Sequence, residues 1–142
     1  MLEPRRARWT MLALIFVTTV LNYVDRANLA LTAPAIAVDL GAGPERLGWL
    51  LSAFGWTYAL CQVPGGWLVD RLRPRTLLFV LLALWSLCTV GIGFVGTVAG
   101  IFALRLAVGV LEAPSYPVNN RVITAWFPQA ERASAAATFL SG

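Results

Sequence analysis

Residues 21–30 read LNYVDRANLA. Asp25 and Arg26 stand side by side there, inside a run that is otherwise apolar from Thr10 to Ala37. A charged side chain at the centre of a bilayer costs about 2.5–3.5 kcal/mol on insertion scales, so it persists where it faces a bundle interior, pairs, or meets a ligand. Whether this run crosses a membrane decides the fold, and the use of its two charges decides the function. Composition answers the first question. Of 142 residues, 58% are hydrophobic and 13% charged, half of the roughly 25% usual in a soluble domain. That is too little charge to coat a water-facing surface, and the expected class is an all-α membrane protein.

Crossing roughly 30 Å of hydrocarbon takes about 20 apolar residues in a helix. Four segments qualify, at approximately 10–37, 47–69, 76–96 and 98–118, and a fifth begins near 133 and runs to 142. Pro128 with Glu131 just behind it reads as a helix start, because proline suits the first turn and an early carboxylate faces the N-terminal dipole. Ten residues rise only about 15 Å, so a truncated chain is expected. The basic leader, Met1 to Trp9, resembles a signal peptide. The apolar run after it is too long, and no small-residue cleavage site follows, so it reads as an uncleaved first span.

The charge is +4, carried by eleven Arg and no Lys. Arg5, Arg6, Arg8, Arg71, Arg73, Arg75, Arg121 and Arg132 fall in three segments that share one side of a bilayer. The other side has Arg46, offset by Asp39 and Glu45. The positive-inside rule then places the N terminus in the cytoplasm of a multi-pass protein of the cell's inner (plasma) membrane. Trp9, Trp49, Trp67 and Trp126 fall near span ends, as interfacial anchors do.

Four ionic residues remain within spans. The first span holds Asp25 and Arg26, and the fourth holds Arg105 and Glu112. Seven residues are nearly two helical turns, so Arg105 and Glu112 share a face, with Gly109 close to it and Tyr116 continuing the stripe. Adjacent Asp25 and Arg26 diverge by about 100° and are set to pair across helices. Two readings stay open. In one, buried ion pairs hold the two spans together, although such pairs are weak stabilisers beside apolar packing. In the other, the arginines form an anion site and the carboxylates take up protons. An anion that neutralises an arginine changes the proton affinity of the neighbouring carboxylate, which is a physical basis for coupling. A weak internal echo favours the second: Leu31-Thr-Ala-Pro34 and Leu111-Glu-Ala-Pro114 follow the arginines at like spacing, as if both spans were broken by proline in an inverted repeat.

Other classes fit poorly. The basic residues do not interleave with aromatics on one face, which argues against a nucleic-acid partner. Cys61 and Cys88 lie in apolar runs with no CxxC spacing and read as small core residues. There is no His, no Ser or Cys with a visible base partner, and no metal-ligand cluster, so neither an enzyme nor a metal site is expected. Gly91-Ile-Gly93-Phe-Val-Gly96 fits GxGxxG, but the long apolar run before it is no strand, and close packing with a tight turn is the expected reading.

Between the second and third spans stands Gly66-Trp-Leu-Val-Asp70-Arg71-Leu-Arg73-Pro-Arg75. It resembles the signature loop of the major facilitator superfamily, G-x-x-x-D-[RK]-x-G-x-[RK], with Arg73 and Pro74 where the second glycine usually begins the turn. The finer resemblance is to the anion:cation symporter branch, which includes galactonate, glucarate and hexuronate permeases. It rests on Asn22-Tyr-Val-Asp-Arg-Ala-Asn28, on Gln62-Val-Pro-Gly-Gly-Trp67, and on Arg105 through Arg132 with R-x-x-x-G-x-x-E-A-P and W-F-P-x-x-E-R-A.

The resemblance implies a polytopic helix bundle, four spans and the start of a fifth, from the N-terminal six-helix domain of a twelve-span fold over residues 1–142. It implies secondary active symport of an organic anion, a sugar acid or related carboxylate, with the proton as coupling ion and no other cofactor. Arg26, Tyr23, Tyr58 and Arg105 would meet the substrate, Asp25 and Glu112 would couple protons, and Gly66, Asp70, Arg71 and Arg75 would gate the cytoplasmic side. Tyr58 could equally be a core or interfacial tyrosine. The partners implied are the small anion, the lipid bilayer and the rest of the transporter, without which the piece would be inactive. The alternatives are a non-transporting membrane remnant or scaffold, and a self-standing four-span dimeric multidrug exporter.

Overall fold

A computed structural model describes residues 4–141, with side chains from residue 7; Met1, Leu2 and Glu3 of the leader, the side chains of Arg5 and Arg6, and Gly142 lie outside the described residues. Among the described residues six helices follow one another: α1 Pro4–Asp39, α2 Pro44–Arg71, α3 Pro74–Ile92, α4 Val98–Glu112, α5 Ser115–Trp126 and α6 Gln129–Leu140. No strand occurs among the described residues. The all-α bundle expected from composition is what forms.

Prolines and caps set the boundaries. Pro44 and Pro74 open α2 and α3, where a missing N–H costs nothing. Thr97 caps α4, its hydroxyl accepting from Gly100 N at 3.2 Å. Pro128 caps α6, where Pro128 and Glu131 mark a helix start in the sequence. The α1–α2 turn contains Gly41 at φ +58°, a conformation that costs glycine little and a β-branched residue much.

Two expectations need correction. Pro34 does not break the first span: α1 runs through it to Asp39. Pro114 does separate α4 from α5, but Ala113 and Pro114 keep right-handed dihedrals, so the chain bends without leaving the helical path. The apolar path Val98–Trp126 is therefore continuous and longer than the expected 98–118. Among the described residues, three helical stretches are long and apolar enough to cross a membrane: Ala7–Asp39, Pro74–Ile92 and Val98–Trp126. The expected second span, α2, has the length but not the hydropathy, because Ser52, Thr57, Tyr58 and Gln62 run through its middle.

The bundle is apolar outside, and its interior adds polar and charged side chains to an apolar core that includes Leu50, Trp85 and Val108. Leu60, Val63, Phe79, Leu87 and Phe94 are exposed, whereas Arg105, Glu112, Asn22, Asn119, Thr19 and Ser115 are buried. An apolar exterior around buried charges suits lipid as the solvent. Trp9, Trp49, Trp67 and Trp126 all remain exposed.

α4 packs on α2 and α3, while α1 meets α2, α5 and α6. Glycines bring α2 and the α4–α5 bend together. A Cβ at Gly109 would meet the Thr57 hydroxyl and lie 2.6 Å from the Phe54 carbonyl, and one at Gly65 would lie 3.1–3.3 Å from Pro114. The Thr57 hydroxyl bridges the same crossing, donating to Leu106 O at 2.9 Å. Small residues allowing close backbone approach are the usual device for helix association in lipid. Gly91, Gly93 and Gly96 belong to the α3 end and the turn into α4, with no strand before them.

Candidate ionic site

The face of α4 that carries Arg105, Val108, Gly109 and Glu112 is buried. Glu112 is 0% and Arg105 5% exposed. Opposite them, α1 presents Arg26. Its Nη2 donates to Glu112 Oε2 at 3.3 Å, long for a charge-assisted bond. Asp25 and Arg26 thus do look in different directions: Arg26 pairs with α4, while Asp25 faces the Trp85 indole of α3 and the field of Arg105.

Aromatic rings frame the guanidinium groups. The Arg26 Cζ lies 4.6 Å from the Tyr58 ring centroid, 4.8 Å from Phe54 and 5.6 Å from Tyr23. The Arg105 Cζ lies 4.9 Å from the same Phe54 ring. Phe54 and Tyr58 are one helical turn apart on α2 and stack with centroids 5.3 Å apart. A cation over a desolvated aromatic face gains roughly 2 kcal/mol, which offsets part of the cost of burying two like charges. Tyr116 extends the cluster, donating to the Tyr23 hydroxyl at 3.2 Å.

The pairing is incomplete. Among the described residues Arg105 has no carboxylate within 4.0 Å. Arg105 Nε, Arg26 Nε and Glu112 Oε1 are buried without a hydrogen-bond partner. An open cleft of about 670 Å³ reaches Arg105 and Asp25 between α1 and the α3–α4 turn, with Asn28 and Thr32 on its wall. Such a group of buried, half-satisfied charges beside a cleft is poorly suited to a purely structural role. Each unsatisfied buried group costs about 1–3 kcal/mol, more when charged.

Six of the residues singled out in the sequence meet here: Tyr23, Asp25, Arg26, Tyr58, Arg105 and Glu112. Phe54, whose ring both arginines share, was not singled out. Its signal was the i,i+4 spacing to Tyr58, which sequence alone cannot tell from ordinary apolar packing. Gly66, Asp70, Arg71 and Arg75 lie elsewhere, at the far end of α2 and the start of α3. Asp70 accepts from Arg121 Nη1 at 3.4 Å, the same nitrogen also donating to Val69 O. Arg71 lies over Trp67 at 3.9 Å, and Arg75 is exposed. Of the neighbouring glycines, Gly65 makes the close contact, while a Cβ at Gly66 would meet nothing within 4 Å. The adjacent end of the bundle has a second lock, in which Arg8 pairs with Glu131 at 3.1 Å and Arg132 donates to Phe127 O and Thr124 O.

An apolar-coated helical bundle with Arg105 and Glu112 buried, and Asp25 and Arg26 half-buried beside them, defines a multi-pass membrane protein with an internal ionic site. More particularly, the chain belongs to the Major Facilitator Superfamily, whose description residues 15–142 match. It is 44% identical to the D-galactonate transporter of Escherichia coli O6:H1 over 99% of this chain and 33% of that protein. It is 41% identical to the "Probable galactarate/D-glucarate transporter GudP" of Bacillus subtilis, over 94% of this chain and 31% of that protein. The "Probable sulfoacetate transporter SauU" of Cupriavidus necator is 35% identical over 89% of this chain and 30% of its own length. Among solved structures, a bacterial homolog of the human lysosomal transporter Spinster, inward-facing and unoccupied, matches with a TM-score of 0.86 and 25% identity, over 93% of this chain and 28% of that one. The chain spans about a third of the length of the curated relatives it matches.

Proposed function

We propose that this chain forms the N-terminal part of a secondary transporter that carries an organic anion, a sugar acid or related carboxylate, together with protons. The observation that carries the reading is the uneven pairing of the buried charges: Arg26 is held by Glu112, and Arg105 has no carboxylate in contact. Two arginines and two carboxylates are neutral together. A proton on Asp25 or Glu112 leaves one guanidinium uncompensated, and a carboxylate substrate restores the balance. One proton taken up per negative charge bound is then the arrangement of lowest electrostatic cost.

Arg26, backed by Tyr23 and Tyr58, takes the substrate carboxylate in this reading, and Arg105 adds positive potential. Asp25 and Glu112 hold the coupling protons. Asp70, Arg71 and Arg75 act at the far end of α2 as part of a cytoplasmic gate, with Gly66 opening their motif. The N terminus lies in the cytoplasm of an inner (plasma) membrane, and the remaining spans supply the opposite wall of the cavity. The likeness to the galactonate and galactarate/glucarate transporters supports the substrate class.

The test is uptake of radiolabelled galactonate and glucarate into proteoliposomes of the complete transporter with an inside-alkaline pH gradient. Accumulation that collapses with a protonophore supports the proposal. Accumulation indifferent to the gradient removes the proton from the mechanism.

A further inference from the structure

Below the ion pair, α1 and α5 face each other with polar side chains that the site does not use. Thr19 and Asn22 on α1, and Ser115 and Asn119 on α5, are each only 2% exposed. They fall on the stripes that begin at the ion pair: 26, 22 and 19 on α1, and 112, 115 and 119 along α4 and α5, all at spacings of three or four. The two stripes run antiparallel and keep register. Arg26 meets Glu112 at 3.3 Å, and seven residues along each helix Asn119 Nδ2 donates to Thr19 Oγ1 at 3.5 Å. Asn22 and Ser115 fall between these two rungs.

The ladder is short of partners. Asn22 Nδ2 donates to Thr18 O at 2.8 Å, and Thr19 Oγ1 donates to Ile15 O at 2.9 Å. Asn22 Oδ1, Ser115 Oγ, Asn119 Oδ1 and Glu112 Oε1 have none among the described residues. Turning the Asn22 amide over would set its Oδ1 against the Thr18 carbonyl, acceptor facing acceptor, so a flip does not satisfy it. These atoms are buried by helices of this chain alone, so a substrate lying between two halves of a transporter does not reach them. Buried polar atoms strung along one seam are the setting in which proteins hold internal water.

We propose that the α1–α5 seam is a hydrated proton path leading from Glu112 toward the end of the bundle where α1 begins. It rests on the transport reading of the ionic site and adds the route by which the proton leaves. The Glu112 carboxyl gives its proton to the first water and becomes the carboxylate that Arg26 holds. That water passes a proton to the next, and so on past Asn22, Ser115 and Asn119, so that one proton is transferred and no bond other than O–H is made or broken. The asparagines and hydroxyls orient the water and do not themselves change charge. The apolar cluster of Leu12, Ile15, Ile123, Phe127 and Phe139 closes the lower end, so the proton escapes when that cluster loosens.

Ser115→Ala and Thr19→Val remove one polar atom each at nearly constant volume, and the pair tests the path in proteoliposomes of the complete transporter. Two rates are compared: net uptake of labelled anion driven by a pH gradient, and exchange of labelled for unlabelled anion at equal pH, which needs no net proton transfer. The expected result is a fall of about tenfold in net uptake in the double variant, the scale of one lost hydrogen bond, with exchange unchanged and a larger D2O effect on net uptake. Equal loss of both rates, or net uptake as fast as wild type, overturns the path. If the double variant does not fold, Ser115→Ala alone is read by the same ratio. A wild type without pH-driven uptake overturns the coupling itself, which is a different failure.

Discussion

The α2–α4 crossing and the α1–α5 seam are built from the same helix-on-helix geometry and solve opposite problems. At the first, Gly109 and Gly65 let backbones touch, and the Thr57 hydroxyl crosses directly to Leu106 O. Direct contact there leaves a Cβ no room. At the second, hydroxyls and amides line both walls and several of their atoms stay unpaired. In lipid there is no hydrophobic drive between helices, so close packing is what holds the first crossing. The second gives up that packing for polar groups, and the ion pair sits where the two regimes meet. Packing and the ion pair thus divide one buried face of α4 along its length: Gly109 meets α2, and Glu112, one turn on, meets α1.

The largest test of this division is Arg26→Ala. Removing one partner of a hydrogen-bonded charge pair typically costs about 2–5 kcal/mol, so anion affinity measured by equilibrium binding to the complete transporter should fall by about 30-fold or more. Affinity within a few-fold of wild type would make the pair structural and erase the contrast. Next comes Gly109→Val on the packed side. With the Phe54 carbonyl 2.6 Å from the new Cβ, overpacking should destabilise by about 1–3 kcal/mol and lower the unfolding temperature in detergent. Gly66→Ala is its control. Nothing lies within 4 Å, and alanine gains up to about 1 kcal/mol over glycine in a helix, so stability should hold or rise slightly. A loss at Gly66 equal to that at Gly109 would show that position in the helix, and not contact, decides. The smallest effect belongs to Asp70→Asn. Its pair with Arg121 is exposed, at 3.4 Å, and such pairs are worth about 0–1 kcal/mol. Thermal stability should barely move even if gating changes.

Much of this was legible in the sequence. The low charge and long apolar runs specify a membrane bundle, and the seven-residue step from Arg105 to Glu112 specifies a shared face. The divergence of Asp25 and Arg26 follows from helical pitch alone. Pairing across space was not legible: Phe54 became part of the site because α2 crosses α4 at Gly109, which no local pattern announces. Nor could Asn119 be told from Asn120, since only the fold buries one and exposes the other. Pro34 and Pro114 occupy like positions in matching tetrapeptides, yet only the second divides a helix. The resemblance between the tetrapeptides did not extend to the backbone.

The central claim is that proton and anion occupy one electrostatic unit made by Arg26, Arg105, Asp25 and Glu112. Its most direct test is the proton count on binding: add galactonate to the purified complete transporter in weakly buffered detergent and follow a pH indicator. The account predicts that wild type takes up protons as it binds the anion and that Glu112→Gln binds with less uptake. Anion binding with no proton taken up by wild type, or the same uptake in Glu112→Gln, would contradict it.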